Sequence, residues 1–501
     1  MMVCTAASRV LGFVRVAVIG AVFGAAGVAD VLNAVYMIPN NLRKLLAEGA
    51  LSAALIPELA RALERGRNAP QCDARVLIRR VLTLVTVTVL AVVVVAVLFA
   101  RPVVGFVLSF PEAWKMALAV ELFRLVFPYL LLVSFGAVLM AVLNCHDLFV
   151  VPALAPLLFS VNVIAAIVLF YRHWGLLAAG VGILAGGVGG VVGQLPLFFR
   201  HGYDLRPDWR WSDPRVRRIV RQWVPVVASA SIFAITQQVA LILASGLEDG
   251  STSALANALV FWQLPFGILS VSVVTAHFPR MSRHAAAGDI AALRDAFASA
   301  FRLIVALMLP PAVFYLFFGE PVIQVALERM TFTANGTRLA SRVLAGYAAG
   351  LLSVAVFNFV QRYFYAISDY RTPFLAALAV AAIDVPLAII LKETGLRVAG
   401  LAVANSIAFS AGAVLLLAAA RKRLHRLAGE RAAGYGVRVL AANAALALLL
   451  AGVAAVTAAW WQAGSTWRNA ALIASIGAVA VAGTLALYRI LRLAWWQPAG
   501  S

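Results

Sequence analysis

Long apolar runs alternate with short polar or turn-rich breaks along the whole 501-residue chain. The first six runs cover roughly 8–28, 31–59, 76–107, 115–143, 150–171 and 175–199. After a basic stretch they resume over 219–246, 251–279, 296–326, 338–367, 372–391, 397–420, 434–460 and 468–494. Each is about as long as an α-helix must be to cross a hydrocarbon layer of about 30 Å. Strands of a membrane barrel would be about ten residues long and would alternate in polarity, and these runs do neither. The pattern predicts an all-α polytopic membrane protein with fourteen transmembrane helices.

Composition narrows the class. Hydrophobic residues make up 63% of the chain and charged residues 12%, and the mean hydropathy is +0.94. A soluble domain is nearer half apolar and a quarter charged, so no soluble core could hold this much apolar surface. The net charge of +20 would suit nucleic acid were it gathered on one domain. It flanks the apolar runs instead, in loops that would share one side. After the second run come Arg61, Arg65, Arg67, Arg75, Arg79 and Arg80; after the sixth come Arg200, Arg206, Arg210, Arg215, Arg217, Arg218 and Arg221. After the twelfth come Arg421, Lys422, Arg423, Arg426, Arg431 and Arg438. The opposite loops are poorer in basic residues and carry Glu248, Asp249, Glu320 and Glu328. The bias of lysine and arginine towards the cytoplasm predicts both termini in the cytoplasm and an even number of spans. Cys4, Cys72 and Cys145 have no metal-ligand spacing and read as thiols on the reducing side. No cleavable signal is read at the start.

An internal repeat organises the runs. "NCHDLFVVPALAPLLFSVNVIAAI" from Asn144 echoes "AISDYRTPFLAALAVAAIDVPLAI" from Ala366. Asp147 and Asn162 are fifteen apart, as are Asp369 and Asp384. The echoes lie six runs apart, which predicts two six-helix lobes in the same orientation. The expected division is 1–200 for the first lobe, 201–433 for a cytoplasmic linker and second lobe, and 434–501 for a C-terminal helix pair.

Charge inside the first two runs gives the candidate chemistry. Arg9, Arg15 and Arg43 fall in or beside apolar sequence, where a charge is costly and usually faces a bundle interior or a watery cavity. Three guanidinium groups in one half favour an anionic ligand, because the planar fork donates two hydrogen bonds to phosphate oxygens. Asn33, Asn40, Asn41 and Lys44 add polarity to the second run, and Pro39 permits a bend there. Asp30, Glu48 and Asp384 are candidate supporting or ion-coupling acids, and Glu48 lies five residues beyond Arg43. The glycine run from Gly186 to Gly193 suits close helix packing and does not precede the lysine of a phosphate loop. No nucleophile elbow or metal cluster is evident, so transport without a cofactor is expected. Membrane potential, a proton or sodium is the expected range of driving forces.

At these residues the sequence resembles the MurJ (MviN) family of bacterial lipid II flippases, within the multidrug/oligosaccharidyl-lipid/polysaccharide exporter group. The resemblance rests on "SRVLGFVR" from Ser8, on "FGAAGVADVLNAVYMIPNNLRKLLAEGALSAALIP" from Phe23, and on "FYAISDYRTP" from Phe364. It implies two six-helix lobes with two added C-terminal helices that form a groove for a long lipid tail. It implies alternating access that carries an undecaprenyl-diphosphate-linked glycopeptide to the outer leaflet, with cell-wall synthesis enzymes as candidate partners. The family's functional arginines fall on Arg9, Arg15 and Arg43, and its second-helix acids on Asp30 and Glu48. There are departures. Val16 stands where relatives carry an acid after the second arginine. Leu259 and Val260 stand where many carry an Asp-Arg pair, leaving Gln263 as the polar residue nearby. Two other readings remain beside this one: a cation-coupled exporter of another lipid-linked glycan or small molecule, and a non-transporting scaffold for wall synthesis.

Overall fold

Leu, Val and Ala dominate the runs, and in an apolar solvent such residues leave the backbone one economical solution, the internally hydrogen-bonded helix. The computed structural model describes residues 2–46, 55–56, 58–59, 62, 72–146, 148–424, 430–461 and 465–493. Its helices are α1 (Met2–Phe23), α2 (Val28–Leu46), α3 (Cys72–Leu98), α4 (Ala100–Val107), α5 (Ala113–Val126) and α6 (Tyr129–Cys145). Then follow α7 (Val150–Trp174), α8 (Leu177–Val192), α9 (Leu195–Arg200), α10 (Pro214–Ser245), α11 (Ser251–Pro265) and α12 (Val271–Ala286). The chain goes on through α13 (Ile290–Leu327), α14 (Ala334–Ala349), α15 (Leu351–Ala366), α16 (Arg371–Lys392), α17 (Val398–Arg423), α18 (Glu430–Ala458) and α19 (Thr466–Ile490).

Local chemistry sets several of the ends. The Asp213 carboxylate caps α10 by accepting from the Arg215 amide, with Pro214 in the first turn, where its missing N–H costs nothing. Asp289 caps α13 through the Ala292 amide at 2.9 Å. Pro265 closes α11 and is followed by one π-helical turn, Phe266–Ser270, a widening that proline's lost donor permits. Helices α14 and α15 meet at Gly350 with a bend of 46°.

The contacts divide the chain into two compact units, Met1–Ser253 with Arg329–Thr331, and Ala254–Glu328 with Phe332–Ser501. In the first, α7 and α8 pack along their lengths, α1 lies on α7, and α2 touches α5, α6 and α10. The α7–α8 seam depends on small residues. A Cβ on Gly182 would stand 2.8 Å from the Val163 Cα, and one on Gly186 would stand 2.7 Å from the Phe159 ring. In the second unit α16 pairs with α17, α17 packs on α14 and α15, and α13 carries α18 and α19. Polar ties fasten that last pair. The Tyr488 hydroxyl donates to the Ala306 carbonyl at 2.7 Å, and the Tyr435 hydroxyl to the Arg302 carbonyl at 3.1 Å.

Span count is where the pattern and the structure part. Among the described residues ten helices are long and apolar enough to cross a membrane, or eleven with the bent α14–α15 pair taken as one. The three other expected runs, 8–28, 31–59 and 219–246, overlap α1, α2 and α10, and residues 47–54 and 57 of the second lie outside the described residues. Among the described residues their apolar stretches are Val10–Phe23 in the first and Ala234–Ser245 in the last.

Candidate functional site

Arg15 sits two-thirds of the way along α1, on the side that faces α2 and α7. Its guanidinium carbon lies 4.9 Å from the Phe159 ring centroid on α7 and 5.8 Å from that of Tyr36 on α2. Phe159 is buried and in turn meets Tyr36 at 6.2 Å and Tyr129 at 5.2 Å. A ring face attracts the cation through its quadrupole without neutralising it. No carboxylate pairs with the guanidinium among the described residues.

Arg43 lies beyond the proline of α2. Its Nε and one terminal nitrogen both donate to the Asn40 side-chain oxygen, at 3.3 and 3.1 Å. On the same helix Asn41 donates to Gln238 of α10 at 3.3 Å, and Asn33 to the Ser253 hydroxyl at 3.1 Å. One face of α2 is therefore a polar ladder. Arg9 belongs to α1, but its side chain lies outside the described residues, as does all of Glu48. The geometry brings Arg15 and the polar face of α2 into one unit and leaves those two residues undescribed.

Asp30 has a different setting. Its carboxylate accepts from the Gly250 amide at 2.6 Å and the Ser253 amide at 2.8 Å, and its carbonyl accepts from the Thr252 hydroxyl. It caps α11 from another helix, supplying acceptors to the exposed first-turn N–H groups. Gly250, at φ 93°, takes a backbone that a side chain would oppose, and so aims its N–H at the carboxylate. Lys115 of α5 is buried, with its ammonium 3.9 Å from Asp30, 3.3 Å from Glu112 and 2.6 Å from Asp249. Asp249 also accepts from the Gly27 amide at 2.8 Å. Burial pushes the Asp249 carboxyl up, but the Lys115 and Gly27 hydrogen bonds outweigh it and hold the group below its usual range. Glu112 and Lys115 are i,i+3 neighbours at the head of an apolar run, but no spacing in the sequence links them to Asp30 or Asp249.

A second charged cluster does have a signature. The segment after α9 spells Asp-x-Arg three times, at Asp204–Arg206, Asp208–Arg210 and Asp213–Arg215. Each carboxylate accepts from the amide of the arginine two residues on, an Asx turn. Each also holds an arginine side chain: Arg79 on Asp204, Arg80 on Asp208 and Asp213, and Arg215 on Asp213. The Arg79 bond to Asp204 lowers that carboxyl's pKa, and the Arg210 amide lowers that of Asp208. With its acids turned inward, the segment exposes Arg206, Arg210, Trp209 and Trp211.

In the second unit Asp384 of α16 is buried and accepts from Asn405 of α17 at 3.3 Å. Gln263 is exposed on α11, with Leu259 buried one turn before it. The described residues include no cluster of histidine, cysteine and acidic side chains that could hold a metal ion.

The model of the lipid II flippase MurJ family matches residues 19–483. The chain belongs to the MurJ family. Relatives include the probable lipid II flippase MurJ of Borreliella burgdorferi, 31% identical over 409 residues, which are 81% of this chain and 79% of the relative. That of Haemophilus influenzae is 30% identical over 459 residues, 88% and 89% of the two chains. A solved lipid II flippase MurJ in an inward closed conformation superposes with a TM-score of 0.80 at 22% identity, over 98% of this chain and all (100%) of that one. An inward-facing multidrug MATE transporter superposes less closely, with a TM-score of 0.66 at 16% identity over 84% and 95%. These likenesses fix the fold as the all-α polytopic membrane fold of MurJ. As a MurJ, the chain is a multi-pass transport protein of the bacterial inner membrane and not an enzyme.

Proposed function

We propose that this MurJ flips lipid II, the undecaprenyl-diphosphate-linked peptidoglycan precursor, from the inner to the outer leaflet by alternating access. Arg15, Arg43 and Arg9 are the head-group ligands in this reading. The observation that carries it is the state of Arg15: a guanidinium in the middle of a membrane helix, steadied by rings and left with its charge unspent. Such a group is ready for an anion, and a diphosphate offers matched oxygens to its fork. No covalent step is needed. The protein lowers the cost of carrying a charged, sugared head through hydrocarbon.

The same reading takes the fourteen helical runs as fourteen spans in two six-helix lobes plus the α18–α19 pair. It places both termini and the Arg200–Arg221 segment in the cytoplasm, as the arginine-rich loops favour. The pair α18–α19 is the tail groove. It packs on α13 through Ala306, Phe318 and Leu446, while Leu448, Val456 and Val481 remain exposed. Asp30 serves by clasping the head of α11, and Glu48, Asp384 and Gln263 are the remaining candidates for coupling or support.

The test is transport by purified protein in liposomes, with lipid II, a monophosphate analogue and a glycan-free diphosphate lipid side by side. Diphosphate-dependent flipping that the R15A/R43A double mutant loses is the expected result. A folded double mutant with the parent's preference would overturn the assignment of the grip. Orientation is checked by labelling cysteines placed at Ser212 and Glu248, both exposed, which should react from opposite sides of intact cells.

A further inference from the structure

We infer that Phe159 is a positioning residue for Arg15: its ring, seated in the space left by Gly186, holds the guanidinium charged and oriented for the diphosphate. This deepens the function proposed above and rests on it.

The argument is one of packing followed by electrostatics. Phe159 stands on α7, where that helix runs closest to α8. Gly186 leaves α8 without a side chain at this level, and any Cβ there would come within 2.7 Å of the Phe159 ring and 3.0 Å of its own Cα. The ring is therefore buried at the α7–α8 seam, with the Tyr129 ring at 5.2 Å. A buried side chain clamped by backbone and a second ring has few rotamers left. Its free face meets Arg15 at 4.9 Å. The Tyr36 ring, 6.2 Å from that of Phe159, lies beside it at 5.8 Å from the guanidinium carbon.

The choice of a ring as partner matters for what Arg15 can do. A carboxylate here would have to be broken away before a phosphate could bind, and a buried ion pair broken on one side is strongly unfavourable. The ring face attracts the cation weakly and does not use its in-plane N–H donors. The residue that follows Arg15 is Val16, which brings no competing charge. Long arginine side chains have much rotamer freedom to lose on binding, and a ring that restricts it beforehand raises affinity by preorganisation.

The test replaces Phe159 in the full-length chain with mono-, di- and trifluorophenylalanine. The series weakens the ring's quadrupole stepwise at nearly constant shape. Two readouts are taken in detergent: the rate at which phenylglyoxal modifies Arg15, mapped by mass spectrometry, and the affinity for lipid II. The expected result is a stepwise rise in Arg15 reactivity and a stepwise loss of affinity, reaching about two- to thirty-fold across the series. Phe159→Leu, which removes the ring, should fall at or beyond the trifluoro end in both readouts. A flat response to fluorine in both readouts would show the ring to be packing alone and would overturn the inference. Lack of lipid II binding by the parent would count against the proposed function instead, and the phenylglyoxal series would still read the Arg15–Phe159 contact.

Discussion

Arg15 and Asp30 are both charges on the first two helices, and the structure treats them in opposite ways. Asp30 is saturated. Two amides, a lysine and the start of another helix converge on it, so its charge is consumed in holding α2, α5 and the head of α11 together. Arg15 meets two ring faces, so its charge is held in place and kept available. A buried charge with a full set of partners is architecture, and one steadied by partners that leave its hydrogen-bond donors open is a ligand site.

The strongest way to break this comparison is at Asp30. Asp30→Ala leaves two buried amides without an acceptor, each costing about 1–3 kcal/mol, while Lys115 keeps Asp249 and Glu112. The measurement is the melting temperature in detergent, and a drop of only a degree or two would mean that the clasp is not structural. Next in size is Arg15→Ala, which should leave melting unchanged and weaken diphosphate-lipid binding by about 1.5–3 kcal/mol, or ten- to a hundred-fold. Arg15→Lys should fall between, since it keeps the charge and loses the fork. A destabilised Arg15→Ala would erase the distinction between the two residues.

Asn40→Ala comes third. It removes the acceptor that orients Arg43, and should cost about 0.5–1.5 kcal/mol in lipid binding, up to about ten-fold. Titration calorimetry against lipid II, with the monophosphate analogue as control, would detect it.

The smallest expected effect is one of pH. Asp249 is held below its ordinary value of 3.8, so its pairing with Lys115 stabilises the protein above that value. This contribution fades as pH falls through the lowered native value. Melting temperature should therefore decline more steeply below about pH 4 in the parent than in Lys115→Met, where the pair is already gone. Arg15 has no titrating partner among the described residues, so Arg15→Ala should follow the parent's pH curve. Parallel curves for parent and Lys115→Met would remove Asp249 from the clasp.

Much of this was legible in the sequence, for definite reasons. Apolar runs of helix length have one way to satisfy their backbone in lipid, so the helices fall where the pattern put them. Arginine-flanked loops and the Asp-x-Arg triplet are local signals, and short-range hydrogen bonds realise them locally. Arg15 and Arg43 stood out because charge inside an apolar run is costly wherever it lies. Length alone does not say what covers a helix, so the fourteen runs do not by themselves give the number of spans.

What the sequence determined by itself was therefore the class, the helices and the presence of charges that demand an explanation. The tertiary structure decided what each charge is for. Phe159 lies 144 positions from Arg15 and the Gly250 amide 220 from Asp30, and no periodicity relates such residues. They meet because small residues let α7 and α8 close on each other and because the first turn of α2 lies against the head of α11. A partner that leaves a charge open and one that saturates it are indistinguishable until the helices are packed, since the free energy of a buried charge is set by the atoms within a few ångströms of it and not by its neighbours in the chain.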